Sequence, residues 1–405
     1  MFDSPATEVF QVRSTERALA ETACRSCARD LLFLKLKRRP RYETGTNSIS
    51  VVDLFSGAGG FSLGLAEAFR RLGYGASVKL AIENDPAVAG VFKENFRGAQ
   101  VSTEAVEEVF PGRVGARQTA QERRMASGLG AVEILVGGPP CQGHSDLNNR
   151  TRRDDPRNGL YSRMVRAAEV LRPLVVLIEN VPGIVHDVEG IVGAAVQQLR
   201  ALGFGVATKF FGMELLGVPQ CRRRHVLLAI RRETIDPARV LASVVSLCAL
   251  CHVRSVGWAL DDILAAEGLT PFDTASGLSQ MNAERIDWLF ENHAFDLPNE
   301  LRPKCHQSKH SYRSMYGRLR WDLPAQTITT GYGSMGQGRY VHPRRKRTLT
   351  PHEAARLQTF PDFFSFRSAS SRSCWAKMIG NALPPLMGVA LGERLLKVLR
   401  PEIVA

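Results

Sequence analysis

Nowhere in the chain do about eighteen apolar residues run together, so no helical membrane span is expected. The opening MFDSPATEVFQVRSTERALAET lacks the basic-then-apolar order of a secretory signal. Cysteine is sparse for a disulfide framework: eight thiols in 405 residues suit a reducing compartment, and a cytoplasmic location is expected. Cys24 with Cys27, and Cys248 with Cys251, have metal-ligand spacing, but neither pair has a second pair beside it. Cys305, His306 and His310 lie far along the chain. A structural zinc needs four ligands brought together, so no metal is expected. Acid is also short, with 40 Asp and Glu against 53 Lys and Arg, a formal charge of +13. An excess of that size points to a polyanionic partner, nucleic acid first, although solubility alone explains a few units of it.

What is present is a repeated alternation of strand and helix. Strands are expected over 49–55, 78–82, 132–136, 174–178, 204–211 and 225–230. Helices are expected over 61–72, 86–96, 160–171, 191–202 and 386–399. This pattern predicts an α/β fold, a doubly wound Rossmann-like domain with functional groups along one sheet edge. From about 231 to 320 the periodicity breaks down into short pieces, which read as a smaller domain. Residues 1–46, with the basic run 35–41, read as an N-terminal appendage. The expected division is therefore 1–46, 47–230, 231–320, and 321–405 as a segment completing the large domain. Thr350 and Glu353, with Pro351 between them, predict a capped helix start.

Several strand ends carry polar groups. The first runs into Phe55-Ser56-Gly57-Ala58-Gly59-Gly60, whose glycines let backbone approach a ligand. The second ends in Glu83-Asn84-Asp85, where an acid is placed to bond ribose hydroxyls. The 132–136 strand stops at Gly137-Gly138-Pro139-Pro140-Cys141-Gln142-Gly143-His144-Ser145. Two prolines stiffen that turn and present Cys141 as a candidate nucleophile; taken alone, a buried structural thiol fits as well. Asp146 opens a polar, arginine-rich stretch with Arg150, Arg152 and Arg153, suited to a lid or a phosphate-gripping loop. Further on come Glu179-Asn180-Val181, then Gln220, Arg222 and Arg224.

Taken in linear order, these residues resemble the cytosine-C5 DNA methyltransferase family from about residue 51 to 399. The 53–60 stretch resembles its cofactor signature. Glu83 stands at its ribose-binding acid, and Gly138-Pro139-Pro140-Cys141-Gln142 matches its nucleophile loop. Glu179-Asn180-Val181 matches the segment gripping the target base, and Gln220, Arg222 and Arg224 match its Gln-x-Arg-x-Arg. The stretches 350–361 and 380–385 match two closing signatures. The chain departs from the pattern at His144, usually phenylalanine, and at His352, often arginine. No acid for the adenine amino group is evident in 101–104.

The resemblance implies S-adenosylmethionine as cofactor, held by Phe55, Ser56, Gly57, Ala58, Gly59, Gly60, Glu83, Asn84, Pro139 and Asn381. It implies that Cys141 adds to cytosine C6, Glu179 acts at N3, and Arg224, with Arg222 the second choice, holds O2. It implies double-stranded DNA as partner, contacted by Gln142, Ser145, Arg150, Arg152, Arg153 and Gln220, with the base flipped out. The 231–320 region then becomes a target-recognition domain. A monomer is expected, serving a restriction–modification system with a cognate endonuclease or acting as an orphan methylase. Alternatives are a tRNA cytosine methyltransferase on the same scaffold and a catalytically idle DNA-binding regulator. An unrelated nucleotide-binding oxidoreductase would leave Cys141 and Glu179 unexplained.

Overall fold

The computed structural model describes residues 24–43, 47–140, 159–186, 190–244, 253–307 and 314–401. Seven strands form one sheet: β1 (Ser48–Leu54), β2 (Gly75–Ile82), β3 (Gln100–Ser102), β4 (Ile134–Gly137), β5 (Val175–Asn180), β6 (Gly205–Gly212) and β8 (Arg223–Ile230). Their spatial order is β3-β2-β1-β4-β5-β8-β6. The first five run parallel, and β8 is antiparallel to both β5 and β6. Two short strands, β7 (Gln220–Cys221) and β9 (Ala325–Gln326), pair separately.

The strand sequences are apolar on both faces, as a sheet covered on both sides requires. Ile49, Val51, Ile134, Val136, Val175, Leu177, Val226 and Leu228 pack into one core. The intervening Val52, Leu54, Leu135, Val176, Ile178, Leu227 and Ala229 pack into the other. This period-two division places the helices Gly60–Arg71 and Pro385–Leu399 over one face. The helices Gly159–Leu171 and Ile191–Ala201 cover the opposite face. The doubly wound α/β architecture expected from the sequence is what the chain adopts.

Chain order reverses between β1 and β4, so the crevice outside their carboxyl ends is the ligand position of such a sheet. Register decides what arrives there. Leu54 lies beside both Ile82 and Gly137, and Gly137 beside Ile178. Phe55, Glu83, Gly138 and Glu179 therefore all emerge one residue past the same row. The last strand begins earlier than its apolar pattern suggested, because Arg223 and Arg224 pair with Gly212 and Phe211 of β6.

The C-terminal helix closes the large domain. A methyl on Gly64 would lie 2.1 Å from the Pro385 carbonyl oxygen and 2.7 Å from Gly388 Cα, so the two helices pack backbone against backbone. Leu391, Leu395 and Leu396 are fully buried there, and truncating any one to alanine costs about 2–5 kcal/mol. A second, smaller core joins Ile286, Leu289, Leu297, Met315, Tyr316, Met335 and Val341. It extends past residue 320, while Val256, Trp258 and Leu260 pack with the large core.

Residues 24–43, the described part of the expected 1–46 appendage, pack into the fold. Helix Arg25–Leu34 and the following turn bury Cys27, Phe33, Leu34 and Tyr42. Asp30, also buried, bonds Arg71 Nη1 and Arg254 Nη2, each at 2.6 Å. Charge-rich composition concealed an apolar stripe whose one acid is neutralised by arginines from distant parts of the chain. The basic run at 344–347 is likewise internal business: Arg344, Arg345, Lys346 and Arg347 pair with Asp261, Glu267, Asp287 and Glu353. The predicted cap is present, with Thr350 Oγ1 accepting from Glu353 N at 3.1 Å. Thr350 N donates back to Glu353 Oε2 at 2.9 Å. Among the described residues no helix is long and apolar enough to cross a membrane.

Candidate active site

The turn after β1 is built from left-handed backbone. Phe55, Gly57 and Gly59 have φ of 58°, 54° and 93°. At Gly59 a methyl would also fall 2.6 Å from the Phe96 ring, and at Gly60 one would fall 2.3 Å from the Leu383 carbonyl oxygen. Only glycine satisfies both demands at Gly59. Ala58 is buried, and the helix starting at Gly60 takes over directly.

Glu83 reaches into this turn. Its Oε2 accepts from Gly57 N and its Oε1 from Asp85 N, both at 3.0 Å. Burial raises its carboxyl pKa, against the opposing pull of those two N–H groups. Each oxygen keeps a further lone pair, so the carboxylate can still accept from a pair of vicinal hydroxyls. Ser56 is buried, and its hydroxyl finds no partner among the described residues. A bonded acid with spare acceptor capacity beside an orphaned hydroxyl fits an adenosine-bearing cofactor. Asn84 is exposed, and Asp85 caps the helix Pro86–Asn95 while pairing with Lys377 Nζ at 2.7 Å. Lys377 belongs to helix Arg372–Asn381, whose last residue, Asn381, is exposed. Beneath the turn, burial pushes the Asp53 carboxyl up to about 7, opposed by a 2.6 Å bond from Ser62 Oγ.

The second half of the site lies at the ends of β5 and β8. Glu179 pairs across the ladder with Val226, so Arg224, two residues along, shares its face as a diagonal neighbour. Arg224 Nε meets Glu179 Oε1 at 2.5 Å. Glu179 is only 8% exposed, and burial raises its carboxyl pKa despite the Arg224 and Arg222 charges that pull it down. The guanidinium itself stays charged, since arginine does not deprotonate in proteins. Gly138 leaves room beside the acid, because a methyl there would lie 3.1 Å from Glu179 Oε2.

Arg222 and Gln220 occupy different ground from Arg224. Arg222 is buried, and its Nη1 donates to the carbonyls of Ile328 and Gly380 at 2.9 and 3.0 Å. Gln220 was expected at a DNA surface; its side chain has no exposure at all. Its Nε2 donates to Gln358 Oε1 and its Oε1 accepts from Ile328 N, both at 2.9 Å. These bonds leave the amide no face toward solvent.

Asn180 is the residue that sequence reasoning passed over. Its Nδ2 donates to the Pro139 carbonyl at 3.0 Å and its Oδ1 accepts from Val181 N at 2.8 Å. It thereby fastens β5 to the buried proline turn that leads to residue 141. Its place inside Glu179-Asn180-Val181 was the available signal. Cys141, Gln142, Ser145, Arg150, Arg152 and Arg153 lie outside the described residues.

A glycine crevice at the switch point, flanked by a buried acid and arginine on the neighbouring strands, belongs to the doubly wound methyltransferase class of fold. The chain is similar to a putative DNA modification methyltransferase encoded within an E. coli prophage, with a TM-score of 0.64 and 22% identity over 87% of this chain and 99% of that one. It is also similar to the S. pombe Dnmt2 methyltransferase, with a TM-score of 0.58 and 17% identity over 88% and 100%. At such identities the likeness shows the fold alone. The particular family follows from sequence: the C-5 cytosine-specific DNA methylases match residues 49–397, and the chain belongs to that family as a DNA cytosine-C5 methyltransferase. It is 44% identical to the Type II methyltransferase M1.BsuMI of Bacillus subtilis over 363 residues, 89% of this chain and 84% of that one. With the Type II methyltransferase M1.HphI of Haemophilus parahaemolyticus the identity is 30%, over 87% of each.

Proposed function

We propose that the protein methylates C5 of a flipped-out cytosine within a short, specific sequence of double-stranded DNA, using S-adenosylmethionine. The observation that carries this reading is the pair of buried Glu179 and partly buried Arg224, 2.5 Å apart beside the Gly138-Pro139-Pro140 turn. C5 of cytosine is a weak nucleophile. Addition of the Cys141 thiolate at C6 would convert the ring to an enamine able to attack an electrophilic methyl. That addition needs charge drawn toward N3 and O2. Glu179, with its carboxyl pKa raised by burial, is suited to place a proton at N3, and the fixed Arg224 cation to hold O2. Loss of the C5 proton and expulsion of Cys141 then restore the aromatic ring.

Ser56, Gly57, Glu83 and Asn381 are the groups best placed to hold the cofactor, with Phe55, Ala58, Gly59, Gly60, Asn84 and Pro139 forming the surrounding turn walls. When bound, the cofactor supplies a methyl on a sulfonium, an electrophile that no side chain offers. Gln142, Ser145, Arg150, Arg152 and Arg153 we assign to DNA, together with a recognition region drawn from 231–320. The Type II names of the relatives support a modification enzyme paired with an endonuclease. A soluble monomer acting in the cytoplasm fits that role.

Tritiated S-adenosylmethionine incubated with mixed duplex DNA, and separately with tRNA, tests the reading when followed by bisulfite sequencing. Protected cytosines in one short DNA context are expected. Label in tRNA alone would overturn the assigned substrate, and label in neither would overturn catalysis.

A further inference from the structure

Two buried glutamines and one buried arginine form a circuit of hydrogen bonds behind the active site, closed through the backbone of Ile328 and of Ile379-Gly380. Ile328 N donates to Gln220 Oε1 at 2.9 Å. Gln220 Nε2 donates to Gln358 Oε1 at 2.9 Å, and Gln358 Nε2 donates to Ile379 O at 2.6 Å. Arg222 Nη1 completes the circuit from the other side, donating to both Ile328 O and Gly380 O. Gln220, Gln358 and Arg222 are all at most 3% exposed. Four separate chain segments are thus joined through buried groups. Helix Arg372–Asn381 sits hard against this ring, since a methyl on Gly380 would fall 2.3 Å from Thr330 N.

The ring joins two walls of the site. Arg222 and Gln220 lead directly into Arg224, which holds Glu179. Ile379 and Gly380 lead directly into Asn381, on the cofactor side. We infer that Gln220 and Gln358 are positioning residues that set the spacing between the base-holding and cofactor-holding walls, and that Gln220 makes no DNA contact. The inference rests on the reaction proposed above. In a low-dielectric interior a directed amide chain is stiff, because each amide serves as donor at one end and acceptor at the other. Methyl transfer depends on the separation of two walls, whereas activation of the base depends on one.

That difference supplies the test. Addition at C6 lets water protonate C5 and release the original C5 hydrogen, so exchange of C5 tritium into water reports the base wall without any methyl donor. Gln220→Met and Gln358→Met are measured for cofactor binding, DNA binding, C5 exchange and methyl transfer. Both should keep binding and most exchange while methyl transfer falls by about tenfold to a hundredfold. Gln358→Glu is the conservative companion: its protonated carboxyl can accept from Gln220 and donate to Ile379 O, and its ionised form cannot donate. Its methyl-transfer rate relative to the parent protein should be highest at low pH and fall as pH rises. Parallel loss of exchange and transfer, or a ratio flat in pH, would overturn the inference. Absence of transfer by the parent protein would instead overturn the proposed reaction, which separates the two failures.

Discussion

Asn180 Nδ2 donates to the carbonyl of Pro139 at 3.0 Å, so the strand that carries Glu179 also holds the proline turn that follows β4. Glu179 and the Pro139 turn are therefore not independently placed. Asn180→Ala should lower turnover by about tenfold to a hundredfold, since small misplacements of reacting groups are that costly. Cofactor affinity should be unchanged. Equilibrium binding of the cofactor beside single-turnover methylation measures both.

Arg224→Ala separates the two halves of the site in the same sense. It removes the guanidinium from Glu179 while leaving the Glu83 turn untouched. Turnover should fall by about two to three orders of magnitude, the usual loss when one charge-stabilising donor is removed. A loss of cofactor affinity with turnover preserved would argue against a base-contacting role.

His352 stands where the family often has arginine, and its ring is held at both ends. Nδ1 lies 2.7 Å from Asp273 and Nε2 3.1 Å from Asp362, with Arg356 Nε 3.0 Å from the same Asp362 oxygen. Burial lowers the imidazole pKa, but the two carboxylates outweigh it and the net shift is upward. A raised folded-state value means the stabilisation is complete below the unfolded pKa of about 6.5 and is lost as pH rises through the folded one. The difference in melting temperature between the parent protein and His352→Gln should therefore shrink as pH increases from about 6.5 upward. A difference independent of pH would show that the clamp does not titrate.

Asp30 is shared by Arg71 and Arg254, whose side chains are 4% and 0% exposed. Asp30→Ala strips both buried cations of that carboxylate and should cost about 3–5 kcal/mol. Chemical denaturation measures this.

Much of this protein is legible in its sequence. The β1 turn was readable because left-handed backbone and close approach leave glycine as the residue for Gly59. The Thr350 cap was readable because its bonds span three residues of sequence. The strand–helix alternation followed from two periods, 2 and 3.6, that neighbouring residues reveal by themselves.

Other features depended on partners far along the chain. Residues 1–46 read as an N-terminal appendage because Asp30 only becomes a core residue once Arg71 and Arg254 surround it. Gln220 read as a DNA contact because nothing near it in sequence shows Gln358, 138 residues away, closing over its amide. The stretch around 220–224 offered two arginines of the same parity; the family resemblance puts Arg224 first, but local pattern cannot rank them. The antiparallel register of β5 against β8 does so, setting Glu179 opposite Val226 and Arg224 one diagonal away. The sequence by itself determined the fold class, through local periodicity and turn chemistry, and pointed to the family through motifs standing in that family's order. Which group meets which was decided by tertiary register and burial, because pairing energies depend on neighbours that only folding brings together.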